Sequence, residues 1–91
     1  MRIHVNITVT GRVQKIGFRY STLEVAKQLD ILGFVQNLTD GSVYIEAEGS
    51  EENIKTFIAW CHEGPRWAHV DHVEVEKSAM KNFSIFEIKM S

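Results

Sequence analysis

The stretch Gly11-Arg12-Val13-Gln14-Lys15-Ile16-Gly17-Phe18-Arg19 carries residue types suited to gripping a phosphate-sized anion. Glycines bracket it, and glycine lets a backbone take positive φ and turn several N–H groups inward without Cβ clashes. Arg19 falls in the first turn of the helix pattern that follows. A cation there opposes the positive end of the helix dipole, where an Asp, Ser or Thr cap would be the stabilising choice, and no such cap is present. A bound anion resolves both features, because helix N–H groups and a guanidinium can share one phosphate. Arg19 alone would be an ordinary solvated arginine; the bracketed loop gives it a ligand.

The elements that must hold this loop follow from hydrophobic periodicity. Ile3, Val5, Ile7 and Val9 alternate with His4, Asn6, Thr8 and Thr10, which predicts a half-buried strand with His4 on its solvent face or rim. After the loop, Val25, Ala26, Leu29 and Leu32 recur at helical spacing and Gly33 is read as the residue that ends the helix. The runs 34–38 and 43–48 flank Thr39-Asp40-Gly41-Ser42, a hairpin signal because glycine supplies the left-handed conformation of a tight turn. Gly49 closes the hairpin and Ser50 caps a second helix with Glu51 and Glu52 in its first turn. Ile54, Phe57, Ile58 and Cys61 form its apolar stripe, so Cys61 reads as a packed small hydrophobe, and Gly64-Pro65 stops the helix. Arg66 to His69 reads as a loop, with Trp67 over a core edge or a substrate entrance. Val70, Val73 and Val75 mark a fourth strand and Phe83, Ile85, Phe86 and Ile88 a fifth with one irregularity. The order predicts an α+β, ferredoxin-like βαββαβ sandwich: an antiparallel sheet with two helices on one face and an additional C-terminal strand. Either of the last two runs could complete the main sheet.

Composition bounds the function classes. The chain has 91 residues, 44% hydrophobic and 24% charged, which predicts one soluble domain spanning residues 1–91. Its net charge of −2 lacks the basic field that nucleic-acid binding requires. No apolar run reaches membrane-spanning length. The single Cys61 excludes an internal disulfide and points to the cytoplasm. The four histidines lack a ligand spacing, so neither metal nor other cofactor is expected. No exposed apolar stripe is evident, and a monomer is expected.

The stretch Val9 to Arg19, followed by Gly33-Phe34-Val35-Gln36-Asn37 and Asp40-Gly41-Ser42-Val43, closely resembles the acylphosphatase family. The resemblance extends over nearly the whole chain, including the Gly-Pro after the second helix and Asn82-Phe83-Ser84-Ile85. It implies that Arg19 binds the substrate phosphate, that the loop backbone at Gln14, Lys15, Ile16, Gly17 and Phe18 donates N–H bonds to it, and that Asn37 positions the attacking water. The implied substrate is a small acyl phosphate, hydrolysed to a carboxylate and to inorganic phosphate, which as product should also inhibit. The residues suit that chemistry, since phosphoryl transfer needs positioning and charge stabilisation above all. The Asn37 amide can orient a water but not deprotonate it. The Phe18 ring is expected in the core, and Arg12 as a surface charge at the mouth.

One departure stands out. The family pattern has Gly-Val or a close variant after the glutamine, whereas this chain has Lys15-Ile16. Lys15 replaces a residue able to take positive φ, so the loop is strained, shifted, or carries an ammonium near the phosphate, unless Lys15 points outward. Two rival functions follow from the same residues. One is a non-catalytic phosphate-binding regulatory domain impaired by Lys15. The other is an RNA-binding module, which the acidic balance and the polar Asn6, Thr8 and Glu46 on the sheet argue against.

Overall fold

A computed structural model describes residues 1–90 of the protein. The alternating N-terminal pattern forms β1 (Arg2–Arg12), followed by α1 (Phe18–Gln28), β2 (Leu32–Asn37), β3 (Val43–Ser50), α2 (Glu51–Glu63), β4 (His69–Ser78) and β5 (Phe86–Lys89). The strands form one sheet in the order β4-β1-β3-β2-β5. β1 lies between β3 and β4, antiparallel to both, in a register that pairs Val5 with Ala47, Ile7 with Ile45 and Val9 with Val43. These side chains share one face with Phe18 and Ala26 of α1 and Ile54, Phe57 and Cys61 of α2 in a single buried cluster, which places both helices on that face. Burial pushes the Cys61 thiol up to about 12, so it is an inert core group.

Both C-terminal runs join the sheet, at opposite edges. β4 extends it beside β1, and β5 pairs with β2 in parallel. The sheet is therefore mixed: β4, β1, β3 and β2 form the predicted antiparallel sandwich sheet, and β5 is the additional C-terminal strand, joined to it in parallel. Residues 79–85 cross the back of the sheet before β5 begins, so β5 runs in the direction of β2 instead of returning against it.

That crossing segment also corrects the expectation for His4. His4 is only 1% exposed, because Phe83 stacks on its ring with centroids 5.7 Å apart. Its Nδ1 lies 2.7 Å from Glu48 Oε2, and Glu48 in turn accepts the backbone N–H groups of Lys81, Asn82 and Phe83. Burial alone would raise the Glu48 carboxyl, but those donors and His4 outweigh it and hold it below its ordinary value. Glu46 is fixed beside it by Lys81 Nζ at 2.8 Å and the Tyr44 hydroxyl at 2.7 Å. The back of the sheet is thus partly roofed at these positions.

The end of α1 corrects a second expectation. Helix α1 stops at Gln28, and Asp30 takes the left-handed conformation at φ 54°. The Ile31 N–H bonds Ala26 O and the Asp30 N–H bonds Lys27 O, the paired pattern that terminates helices. Gly33 instead lies inside β2, where a Cβ would meet Glu46 O at 1.9 Å; its absent side chain lets β3 approach. Gly49 likewise belongs to β3, while Ser50 caps α2 as predicted, accepting the Asn53 N–H at 3.1 Å.

Candidate active site

The loop between β1 and α1 sits against the end of β2. Gly11 occupies a bulge in the β1–β4 register, where a Cβ would meet His69 O at 2.2 Å, and the bulge turns the strand toward the loop. Val13 is fully buried and anchors the loop floor. The Gln14 side chain then reaches across to the β2–β3 turn, its Nε2 donating to Leu38 O and Ser42 O, both at 2.8 Å. That turn is itself fixed, since Asp40 Oδ1 accepts from the Ser42 hydroxyl and N–H, bonds that hold the Asp40 carboxyl below its ordinary value.

Lys15 has φ 67°, so a residue with a Cβ holds the left-handed conformation that the departure from the family pattern put in question. Ile16 packs against the core. Gly17 is the N-cap of α1 at φ 81°, ψ 15°, with no side-chain cap bond, and the first turn carries no acid. Phe18 is buried at 2% exposure with its ring 5.5 Å from that of Trp60, and Thr22 Oγ1 donates to Phe18 O. These contacts fix the first turn and leave its leading N–H groups facing outward without side-chain acceptors.

A cavity of about 210 Å³ opens there, lined by Val13, Lys15, Gly17, Phe18, Arg19, Tyr20 and Asn37. Arg19 and Asn37, far apart in sequence, therefore face one space. The Asn37 Oδ1 atom is buried and has no hydrogen-bond partner, an arrangement that costs free energy unless a ligand or water completes it. Of the residues predicted for the site, Lys15, Gly17, Phe18, Arg19 and Asn37 meet at this wall. Gln14 and Ile16 do not line it: the first braces the turn and the second fills the core, leaving their backbone as the part able to serve an anion. Arg12 is exposed at the end of β1, and Trp67 is 72% exposed under the Arg66 guanidinium, outside the cavity wall.

Sequence reasoning did not find Met90, whose Sδ accepts from Arg19 Nη1 at 3.7 Å. No local pattern announces it, because the contact depends on β5 running parallel to β2. Among the described residues no group of three or more His, Cys, Asp or Glu is placed to hold a metal ion, and no helix is long and apolar enough to cross a membrane.

The chain is thus a two-helix α+β sandwich whose cavity brings together an uncapped helix start, an arginine in its first turn and an asparagine opposite. The family model for Acylphosphatase matches residues 5–88, and the chain belongs to the acylphosphatase family. Curated acylphosphatases resemble it along nearly their whole length: that of Trichormus variabilis is 45% identical over 96% of this chain and 86% of its own, and that of Archaeoglobus fulgidus 45% identical over 94% and 97%. Among solved structures, an acylphosphatase from Coxiella burnetii superposes with TM-score 0.94 at 33% identity, covering 97% of this chain and 93% of its own. One from Bacillus subtilis gives 0.93 at 33% identity, covering 98% and 99%. The activity is that of an acylphosphatase, a hydrolase acting on the acid anhydride of an acyl phosphate, and a purely regulatory binding role is not favoured.

Proposed function

We propose that the Arg19–Asn37 cavity is the catalytic site, with Arg19 and the backbone N–H groups of residues 14–18 gripping the phosphoryl group and Asn37 orienting the attacking water. The observation that carries this reading is the buried, unpartnered Asn37 Oδ1 in a cavity shared with Arg19. Its oxygen accepts one proton of a water, aiming a lone pair at phosphorus. The new P–O bond forms from that water as the bond between phosphorus and the acyl oxygen breaks, and the electron pair leaves with the carboxylate. Charge on the equatorial oxygens is met by the guanidinium, by the N–H groups at the start of α1 and by the ammonium of Lys15, a residue that lines the cavity.

A carboxylate is a good leaving group, so the amide need not deprotonate the water; a phosphoryl oxygen takes the proton. Every role is filled by the chain itself, without a metal or a covalent intermediate. Small acyl phosphates are the substrates, inorganic phosphate is product and inhibitor, and the protein works as a cytoplasmic monomer in keeping with its one buried, unreactive thiol.

Steady-state hydrolysis of a synthetic acyl phosphate in a chelator tests the assignment. Arg19→Ala should raise KM, lower kcat and abolish phosphate inhibition. Asn37→Ala should leave KM nearly unchanged and lower kcat roughly a hundredfold, the scale of losing a positioned reactant. Undiminished activity in both variants refutes the site.

A further inference from the structure

We propose that Met90 is an oxidation-sensitive modification site whose sulfoxide occupies Arg19 in competition with the substrate phosphate. The inference rests on the phosphate-binding reading of Arg19. Three observations place Met90 there. The parallel register pairs Gln36 with Lys89, so the chain leaves β5 level with Asn37, at the end of the sheet where the cavity opens. The Met90 sulfur lies 3.7 Å from Arg19 Nη1. The side chain is 80% exposed, so a dissolved oxidant reaches the sulfur unhindered.

A thioether is a weak acceptor and yields the guanidinium to a phosphate readily. Hydrogen peroxide changes that balance. A sulfur lone pair attacks one peroxide oxygen, the S=O bond forms as the O–O bond breaks, and the second oxygen leaves as water. The sulfur loses two electrons and the peroxide gains them. The sulfoxide oxygen then stands beside the guanidinium as a strong, polar acceptor for a charge-assisted hydrogen bond. A methionine sulfoxide reductase with a dithiol reverses the step, releasing the oxygen as water and oxidising the dithiol to a disulfide. The chain's one cysteine takes no part, because Cys61 is buried and its thiol is pushed up to about 12.

An internal acceptor of this kind competes with substrate, so it raises KM and leaves kcat at saturation unchanged. The expected rise is roughly threefold to tenfold, the ordinary net value of one hydrogen bond, because at so exposed a site water competes for both partners and removes most of the charge-assisted gain, and the inhibition constant of inorganic phosphate should rise with it. Met1 at 94% and Met80 at 36% exposure also oxidise, and Met90→Leu separates their effect.

The test treats the full chain with dilute hydrogen peroxide, confirms Met90 sulfoxide by mass spectrometry and measures KM, kcat and phosphate inhibition. The expected result is the KM rise in the unsubstituted protein, its reversal by the reductase, and no response in Met90→Leu. Met90→Gln, which places a carbonyl oxygen on the atom corresponding to the sulfur, should show the raised KM without oxidant. Complete Met90 oxidation with unchanged KM, or an equal rise in Met90→Leu, overturns the inference. Arg19→Ala tells the two readings apart: normal KM and normal phosphate inhibition in that variant mean the site assignment has failed. A crippled Arg19→Ala beside a silent Met90 sulfoxide removes only the present inference.

Discussion

Replacing Gln14 by leucine tests whether the anion loop and Asn37 form one mechanical unit. Gln14 Nε2 spends both its protons on Leu38 O and Ser42 O, the carbonyls of the turn that begins directly after Asn37. Leucine keeps the bulk and removes the brace. Two net hydrogen bonds amount to about 1–3 kcal/mol. Each carbonyl retains another donor, Gly41 N–H on Leu38 O and Leu38 N–H on Ser42 O, so neither is stranded and the loss falls in the lower part of that range, about 1–2 kcal/mol. For a domain of this size that is a Tm decrease of about 4–16 °C. With the loop no longer tied to the turn, phosphate and water lose their fixed relation, and kcat should fall roughly tenfold to a hundredfold. Calorimetry gives Tm, and turnover of an ultraviolet-absorbing aromatic acyl phosphate, well below that Tm, gives kcat. A lowered Tm with unchanged kcat would show that the brace stabilises the fold without aligning the site; an unchanged Tm would refute the hydrogen-bond reasoning itself.

Lys15→Gly relieves a left-handed non-glycine conformation worth about 1–2 kcal/mol while adding unfolded-chain entropy of about 0.5–1 kcal/mol, so Tm should stay level or rise slightly. The same variant removes the charge of a residue that lines the cavity, and phosphate inhibition should weaken severalfold, less so at high salt; an unchanged inhibition constant would mean the side chain does not act on the anion. Glu48 is held below its ordinary value of 4.5, so its stabilising contribution is fully present above about pH 4.5 and is lost as pH falls through the lower folded-state value. Tm measured from pH 7 to pH 3 should fall, and fall less steeply in Glu48→Gln; equal slopes would remove Glu48 from the account. Gly33→Ala drives a Cβ to 1.9 Å from Glu46 O and should destabilise by more than about 3 kcal/mol, read by urea unfolding, with a near-normal midpoint counting against the close approach.

The parts of this fold written in local periodicity were legible before any coordinates. β1, the β2–β3 hairpin, the Ser50 cap and the apolar stripe of α2 each follow from a short window of residues. The glycine at 33 misled because its reason is not local: it is demanded by the β3 backbone across the sheet, while the helix end it was meant to mark is managed by Asp30. His4 misled for the same kind of reason, since its alternation is that of a rim residue and its burial comes from Phe83, far along the chain. At the cavity, the loop from Gly11 to Arg19 and Asn37 could be named from sequence, but the division of labour inside the loop could not. That Gln14 braces and Lys15 carries the left-handed turn depends on where the Leu38–Ser42 turn lies.

The same long-range dependence links the back of the sheet to the cavity. Residues 79–85 must be pinned for β5 to enter beside β2 in parallel, and the pin is Glu48, accepting three successive backbone N–H groups while Lys81 reaches Glu46. An isolated four-residue strand has too few ladder bonds to hold an edge position alone. Its hold on β2 is completed by the Gly33 N–H bonding Ile85 O at 2.8 Å and by Phe86 packing on Phe57. The carboxylate on the face away from the helices is therefore one of the holds that bring Met90 to Arg19. Loosening that pin should act on the cavity through its edge, changing the surroundings of Arg19 while leaving the Gln14 brace and Asn37 in place.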